Sequence, residues 1–279
     1  MSDYLPEYKD VHITQITEEN EWLDLGKAQT DITICHLLTH TSGIGSNAAK
    51  SQKMTDEDKK TIANTIGFYA KAGLDFEPGT KQKYSGIGAF DVLAKIIENI
   101  TKTDYLHFLQ QEIFEPCEMV NTTFVPTGEQ WKQIIAMHNK IDGNNSVAKM
   151  KENCIFYDYP CTHYLGGAGL VSTLSDYLKF AKMLLNNGKT PKKQILTEET
   201  FRLLHTPFVS EEIMPSYERW GLGVRVIVNE ECPTLPAGAF GWSGAYGSHF
   251  WIDPTNKVAA VFMKNSLIDG GAGNESARN

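Results

Sequence analysis

The sequence predicts an α+β protein in which helices pack on an antiparallel sheet. Three observations carry that prediction. Apolar residues recur at helical spacing through most of the first 210 residues. After residue 219 the period becomes that of strands, in GLGVRVIV (221–228), GAFGWSGAYGSHFWID (238–253) and KVAAVFMK (257–264). DPTN at 253–256 has the composition of a tight turn joining the last two. Helices first and strands last is the order expected of an α+β arrangement. The expected division is a mainly helical region over 1–210 and antiparallel strands over 211–279, together one composite domain.

DITICHLLTH (31–40) places Ile34, Leu37 and Leu38 on one side of a short helix, and Gly43 supplies its stop. Polar residues 46–60 form a loop that runs into a helix near 56–72. EPGTKQKYSG (77–86) is turn-rich, and after it Phe90, Leu93, Ile97 and Ile100 make one apolar face of a helix. A further helix is expected near 103–113. Residues 126–165 show weak periodicity, with a turn at DGNN (142–145). Thr173-x-x-Asp176 has the form of a capping box. It opens a helix lined by Tyr177, Phe180, Ala181, Leu184 and Leu185 that ends at NNG (186–188). Another helix starts near Thr197 and carries Phe201 and Leu204. VAAVFM (258–263) is apolar at every position, a pattern that suggests a strand buried on both faces.

Composition narrows the function classes. With 26 basic against 34 acidic residues the formal net charge is −8, and no Lys/Arg block stands out, which disfavours nucleic acid as a partner. No apolar run reaches membrane-spanning length. MSDYLPEYKD lacks the basic and apolar regions of a signal peptide, so the chain as given reads as cytoplasmic. The five cysteines are odd in number, scattered and without a C-x-x-C, as expected of free thiols, and a Cys154–Cys161 bridge is the one pairing worth naming.

Three constellations invite chemistry. His36 and His40 stand at i, i+4, a spacing that can hold zinc. Leu37 fills the place where a zinc protease needs its glutamate, however, and no acidic ligand follows, so no metal is expected. Ser42 lacks the first glycine of a nucleophile elbow, since Thr39 stands there. The stretch reads as a helix end with histidines at the negative pole of the dipole. Tyr84, Ser85 and Gly86 lie in a polar loop just before an amphipathic helix, where a tyrosine can project into a cleft and move protons or be an ordinary turn residue. GWSGAYG (241–247) puts glycines inside a strand pattern. Its exposed N–H groups suit an oxyanion, or the glycines mark a bulge in a twisted sheet.

Together and in this order these segments resemble the serine β-lactamase and penicillin-binding-protein-like superfamily. They look closest to the class C-like branch that includes family VIII carboxylesterases. DITICHLLTHTSGI is similar to the family's ITIRHLLTHTSGL, and FEPGTKQKYSGIGAFDVLAKIIENIT to its segment containing YSN. GGAGLVSTLSDYLKFAKMLLNNG, WGLGVRV and GWSGAYGSHFWIDPTNKVAAVFM match later segments. The resemblance implies a β-lactamase/transpeptidase-like fold and an acyl-enzyme mechanism without a cofactor. A serine of S-x-x-K attacks an ester or amide carbonyl, a tyrosine relays protons, and backbone N–H groups hold the oxyanion. Tyr84 matches the relay tyrosine. Gly86 replaces the family's asparagine. Trp242, Ser243 and Gly244 match the third motif, which assigns the oxyanion N–H to Ala245. In that family His36, His40 and Ser42 belong to a structural helix and turn.

The resemblance also implies that this chain is truncated at both ends. The family's S-x-x-K precedes the segment matching SDYLPEY, which here begins at residue 2. The one S-x-x-K present, SVAK at Ser146–Lys149, follows the tyrosine motif and lies in a turn-rich stretch. The expected function is a β-lactamase-related serine hydrolase acting on small esters, with its nucleophile segment missing from this chain. The alternatives are a non-catalytic binding remnant, or a parent that is a β-lactamase or D-amino-acid peptidase. The early strands that pair the last strand in the family are absent as well, so residues 258–263 are expected to form an apolar edge open to self-association.

Overall fold

The computed structural model describes residues 1–141, 144–147 and 163–267. They form two compact units that interleave along the chain. One comprises Met1–Phe108, Asp158–Leu170 and Val209–Pro215, the other Leu109–Tyr157, Val171–Phe208 and Ser216–Asn279.

The first unit opens with a hairpin that the sequence pattern does not reveal, β1 (His12–Ile16) against β2 (Trp22–Lys27). Trp22, Leu23 and Leu25 are all substantially exposed, so no buried face imposes the alternation by which a strand is read. Three helices follow: α1 (Ile34–Leu38), α2 (Ala48–Ser51) and α3 (Ile62–Ala72). Threonines set two of the starts. Thr33 accepts the His36 N–H while His36 accepts the Thr33 N–H, and Thr61 accepts the N–H of Asn64. The helix expected from residue 56 therefore begins at Ile62. Ahead of it Thr55 and Asp58 bond each other in a local turn that competes with helix.

α4 (Gly88–Thr101) is apolar on two sides. Ala89, Val92 and Ile96 are buried, whereas the predicted stripe of Phe90, Leu93, Ile97 and Ile100 lines an open apolar cavity of about 440 Å³. Beyond it, α5 (Tyr105–Leu109) runs into a π-helical turn over Gln110–Phe114, in place of the single helix expected near 103–113.

The second unit contains α6 (Gly128–Gln133), the hairpin β3 (His138–Ile141) with β4 (Asn144–Val147), α7 (Leu174–Leu185) and α8 (Glu198–Leu204). Its main sheet is antiparallel and five-stranded, ordered β5 (Glu218–Trp220), β6 (Arg225–Ile227), β7 (Phe240–Ser243), β8 (His249–Asp253), β9 (Val258–Phe262). The expectation of three strands after residue 219 is corrected to five. Residues 238–253 fold back at 244–247 into two strands, and β5 precedes the first predicted one.

α7 packs on β8, with Tyr177 edge-on to Phe250 at 5.6 Å, and on β9. The predicted capping box at its start is one-sided. Thr173 accepts the Asp176 N–H at 3.2 Å, but the Asp176 carboxylate is taken by the Asn121 N–H at 2.6 Å and the Lys179 ammonium at 3.0 Å.

β9 ends the sheet order, and among the described residues no strand pairs with its outer side. Burial alternates along it, with Val258 and Phe262 half exposed. Its unbroken apolar sequence is therefore not the mark of a strand buried on both faces. Cys35, Cys117 and Cys232 are free thiols, while Cys154 and Cys161 lie outside the described residues. Among the described residues no helix is long and apolar enough to cross a membrane.

Candidate active site

In the first unit Tyr84 is presented by a turn built from the stretch 36–45. The Thr41 carbonyl accepts the Gly79 N–H at 2.8 Å, the His40 carbonyl accepts the Lys83 N–H at 3.0 Å, and the Gly43 carbonyl accepts the Asp75 N–H at 2.8 Å. Gly43 has φ +78°, and a Cβ there would lie 2.6 Å from the Phe76 carbonyl oxygen, so glycine is required twice over.

His40, also in the left-handed region at φ +56°, is 1% exposed, and its Nδ1 accepts the Ser85 N–H at 3.1 Å. Its ring lies 4.6 Å from that of Tyr84. Ser85 in turn accepts the Ala89 N–H at 3.0 Å and so ties the first turn of α4 to the tyrosine. Tyr84 itself is 49% exposed.

This arrangement resolves the opening histidines. His36 bonds to the N-cap Thr33, and burial lowers its pKa. His40 supports the Tyr84 turn. Sequence reasoning placed both in a structural signature but missed that His40 touches the candidate proton relay. The contact spans 44 positions of chain and leaves no local signal.

Gly86 also receives a physical account. A Cβ at this position would lie 3.0 Å from Cε1 of Tyr84, and the nearby Gly167 brings its own backbone to the Gly86 carbonyl. A side chain there would need the half-exposed tyrosine ring to give by a few tenths of an ångström.

In the second unit the third-motif residues occupy the β7–β8 hairpin. Ser243 pairs across the ladder with His249, and the Ser243 hydroxyl lies 2.7 Å from His249 Nδ1, both side chains being buried. The Gly244 N–H donates to the Ser248 carbonyl at 2.6 Å, and the Gly247 N–H to the Gly244 carbonyl at 3.0 Å. Ala245 is exposed at the tip between them, and neither bond uses its N–H.

The glycines of this segment are explained by the chain itself. A Cβ at Gly241 would sit 2.0 Å from the Phe250 carbonyl oxygen, at Gly244 2.3 Å from Ser248 Oγ, and at Gly247 2.4 Å from Lys264 Cε. Trp242 is half buried beside Trp220 at 4.6 Å, and the Arg225 guanidinium lies 4.4 Å from the Trp220 ring and 5.5 Å from that of Trp242. A cation over two indoles is favourable, and Arg225, on a different strand, is a neighbour that sequence spacing does not announce.

Ser146 lies on β4, with its hydroxyl 3.5 Å from the Asn139 carbonyl, and Lys149 lies outside the described residues. Among the described residues no group of three or more histidine, cysteine, aspartate or glutamate side chains is arranged to hold a metal.

Comparison with known proteins bears on the family and the fold. The chain is 26% identical over 287 residues to an N-acetylmuramyl-L-alanine amidase of Bacillus subtilis, covering 95% of the chain and 60% of the relative. It is 24% identical over 272 residues to the esterase EstB of Burkholderia gladioli, covering 87% of the chain and 67% of the relative. The chain thus spans about three fifths to two thirds of the length of these relatives. Among solved structures, EstCE1, a hydrolase with promiscuous acyltransferase activity, superposes with a TM-score of 0.76 at 22% identity over 99% of this chain and 75% of that one. The fold is β-lactamase/transpeptidase-like, and with the Beta-lactamase family model matching residues 1–279, the chain belongs to the Beta-lactamase family.

Proposed function

We propose that this chain carries the proton-relay tyrosine and the oxyanion strand of an acyl-enzyme serine hydrolase that acts on small esters. In this reading Tyr84 passes the proton from the nucleophilic serine to the leaving alcohol, and the Ala245 N–H helps hold the developing oxyanion. Gly244 holds the hairpin turn, and the buried Ser243 fixes β7 through His249 instead of meeting substrate with its hydroxyl. Trp242 offers an apolar wall where a lysine would meet a substrate carboxylate.

The observation that carries the ester reading is Gly86 itself, which offers no amide side chain of the kind expected to grip a lactam or peptide. The esterase among the relatives supports it. No step is assigned to Ser146, whose hydroxyl points along its own hairpin.

The test compares p-nitrophenyl acetate with a chromogenic cephalosporin. The 279 residues given, in which no S-x-x-K precedes Tyr84, are expected to turn over neither above background, since without a nucleophile only the residual effect of binding and the oxyanion hole is left. In the enzyme completed by an S-x-x-K segment, the ester is cleaved and the cephalosporin is not. There Tyr84→Phe lowers kcat by about 10²–10⁴-fold with the fold intact. Fluorophosphonate labelling of the 279-residue chain that Ser146→Ala abolishes would make Ser146 the nucleophile, and an unchanged kcat in Tyr84→Phe would remove the tyrosine from the mechanism.

A further inference from the structure

Asp91 is the one residue of the first turn of α4 whose chemistry is out of place. It is fully buried in a helix whose other buried residues there are Gly88, Ala89 and Val92. Its Oδ1 accepts the N–H of Gly166 at 2.7 Å, and among the described residues its Oδ2 has no hydrogen-bond partner. The glycine pair it meets is pressed hard onto the tyrosine loop. A Cβ at Gly166 would lie 1.9 Å from the Phe90 carbonyl oxygen, and one at Gly167 2.2 Å from the Gly86 carbonyl oxygen. Gly86 in turn touches the Tyr84 ring, as its hypothetical Cβ shows. An unbroken chain of contacts therefore runs from the Asp91 carboxyl through Gly166–Gly167 and Gly86 to Tyr84, all within one compact unit.

We propose that Asp91 is a positioning residue: its carboxyl seats the Gly166–Gly167 backbone against Gly86–Phe90 and so sets the turn that presents Tyr84. This role rests on Tyr84 being the proton relay, although the clamp itself does not. An apolar residue would fill the space equally well but would leave the Gly166 N–H without an acceptor, a cost that burial magnifies. Only two glycines in succession let the clamped backbone come this close, which gives GGAG (166–169) a reason beyond turn formation.

The clamp is also a titrating one. Burial pushes the Asp91 carboxyl up to about 7, against the opposing pull of the Gly166 and Gly167 N–H groups. The ionisable groups around it are distinct. Tyr8, on the 3₁₀ turn before β1, and Tyr105 of α5 are raised above the ordinary tyrosine value, by burial first and to a lesser degree by the charge of Asp91. Tyr69 of α3 packs at Gly88, and His40, after α1, packs on Phe90 at 5.4 Å. His163 stands three residues before Gly166, with its pKa lowered by burial. Among the described residues no lysine or arginine forms an ion pair with Asp91.

The experiment is a pH titration of the isotope-labelled 279-residue chain by NMR, following the Asp91 carboxyl carbon, the Gly166 and Gly167 amides and the Tyr84 ring from pH 5 to 9. The expected result is one shared midpoint near pH 7 at all of these sites. In Asp91→Asn the shared midpoint disappears, while any inflection from His40 or His163 remains. The wild-type titration decides by itself should the variant fail to fold. Glycine amides that do not follow the Asp91 carboxyl, a Tyr84 ring that stays fixed while they move, or a midpoint that survives in Asp91→Asn would each overturn the proposal. Ester hydrolysis is a separate readout. If the completed enzyme fails to cleave esters but the shared midpoint is present, the ester reading falls and the clamp stands.

Discussion

The sharpest test of the architecture around the Tyr84 turn is the buried ion pair at its base. Lys50 of α2 places its ammonium 2.7 Å from Asp75 Oδ1 and donates to the Leu74 carbonyl at 3.0 Å, and the two side chains are only 3% and 5% exposed. Asp75 Oδ2 accepts both the N–H and the hydroxyl of Ser46, at 3.0 and 2.6 Å, so the pair ties 46–50 to the strand-like stretch at 73–75. Burial pulls the Lys50 pKa down more strongly than the aspartate raises it, a sign that desolvation outweighs the attraction.

Two consequences follow. Lys50→Met keeps the stem but leaves an uncompensated buried carboxylate, and is expected to cost about 3–5 kcal/mol. At about 2–4 °C per kcal/mol for a chain of this size, the Tm should fall by roughly 6–20 °C. Lys50→Met/Asp75→Asn removes both charges while keeping an acceptor for Ser46, and should be more stable than Lys50→Met alone by at least about 2 kcal/mol. Urea unfolding followed by tryptophan fluorescence measures both. A Lys50→Met variant within about 1 kcal/mol of wild type, or a double variant no more stable than the single, would refute the desolvation argument.

Three further outcomes are expected. Because the folded-state pKa of Asp91 is raised to about 7, its contribution to stability is fully present below the unfolded value near 4 and declines as pH rises to 7. The total is on the order of 4 kcal/mol, and the difference between wild type and Asp91→Asn in urea midpoints from pH 4.5 to 8 should show that slope. Gly241→Ala should destabilise the second unit severely, because its Cβ would meet the Phe250 backbone oxygen at 2.0 Å and force β7 from β8; a soluble variant with unchanged Tm would contradict this. The edge of β9, unpaired among the described residues, is expected to drive concentration-dependent self-association on size-exclusion chromatography, reduced by Phe262→Lys, whereas a monomer at all concentrations would show the edge to be inert.

By itself the sequence determined the class of the fold and the order of most elements. Helical periodicity exposed α4 and α7, threonines marked the starts of α7 and α8, and the turn at DPTN joined β8 to β9, because each of these depends on neighbours in sequence. The hairpin of β1 and β2 escaped it, since a strand pair without a buried face leaves no alternation to read. So did the π-helical turn and the fold-back at 244–247. Tertiary structure alone decided what the motifs touch. That His40 holds the Ser85 N–H, that Asp91 clamps Gly166, that Ser243 faces His249 and that Trp242 has Arg225 beside it are all settled by packing between elements. Tyr84 was legible as a candidate from its loop and its resemblance. That the Tyr84 ring lies against Gly86 was not, because the way a ring folds back over its own turn is not announced by spacing.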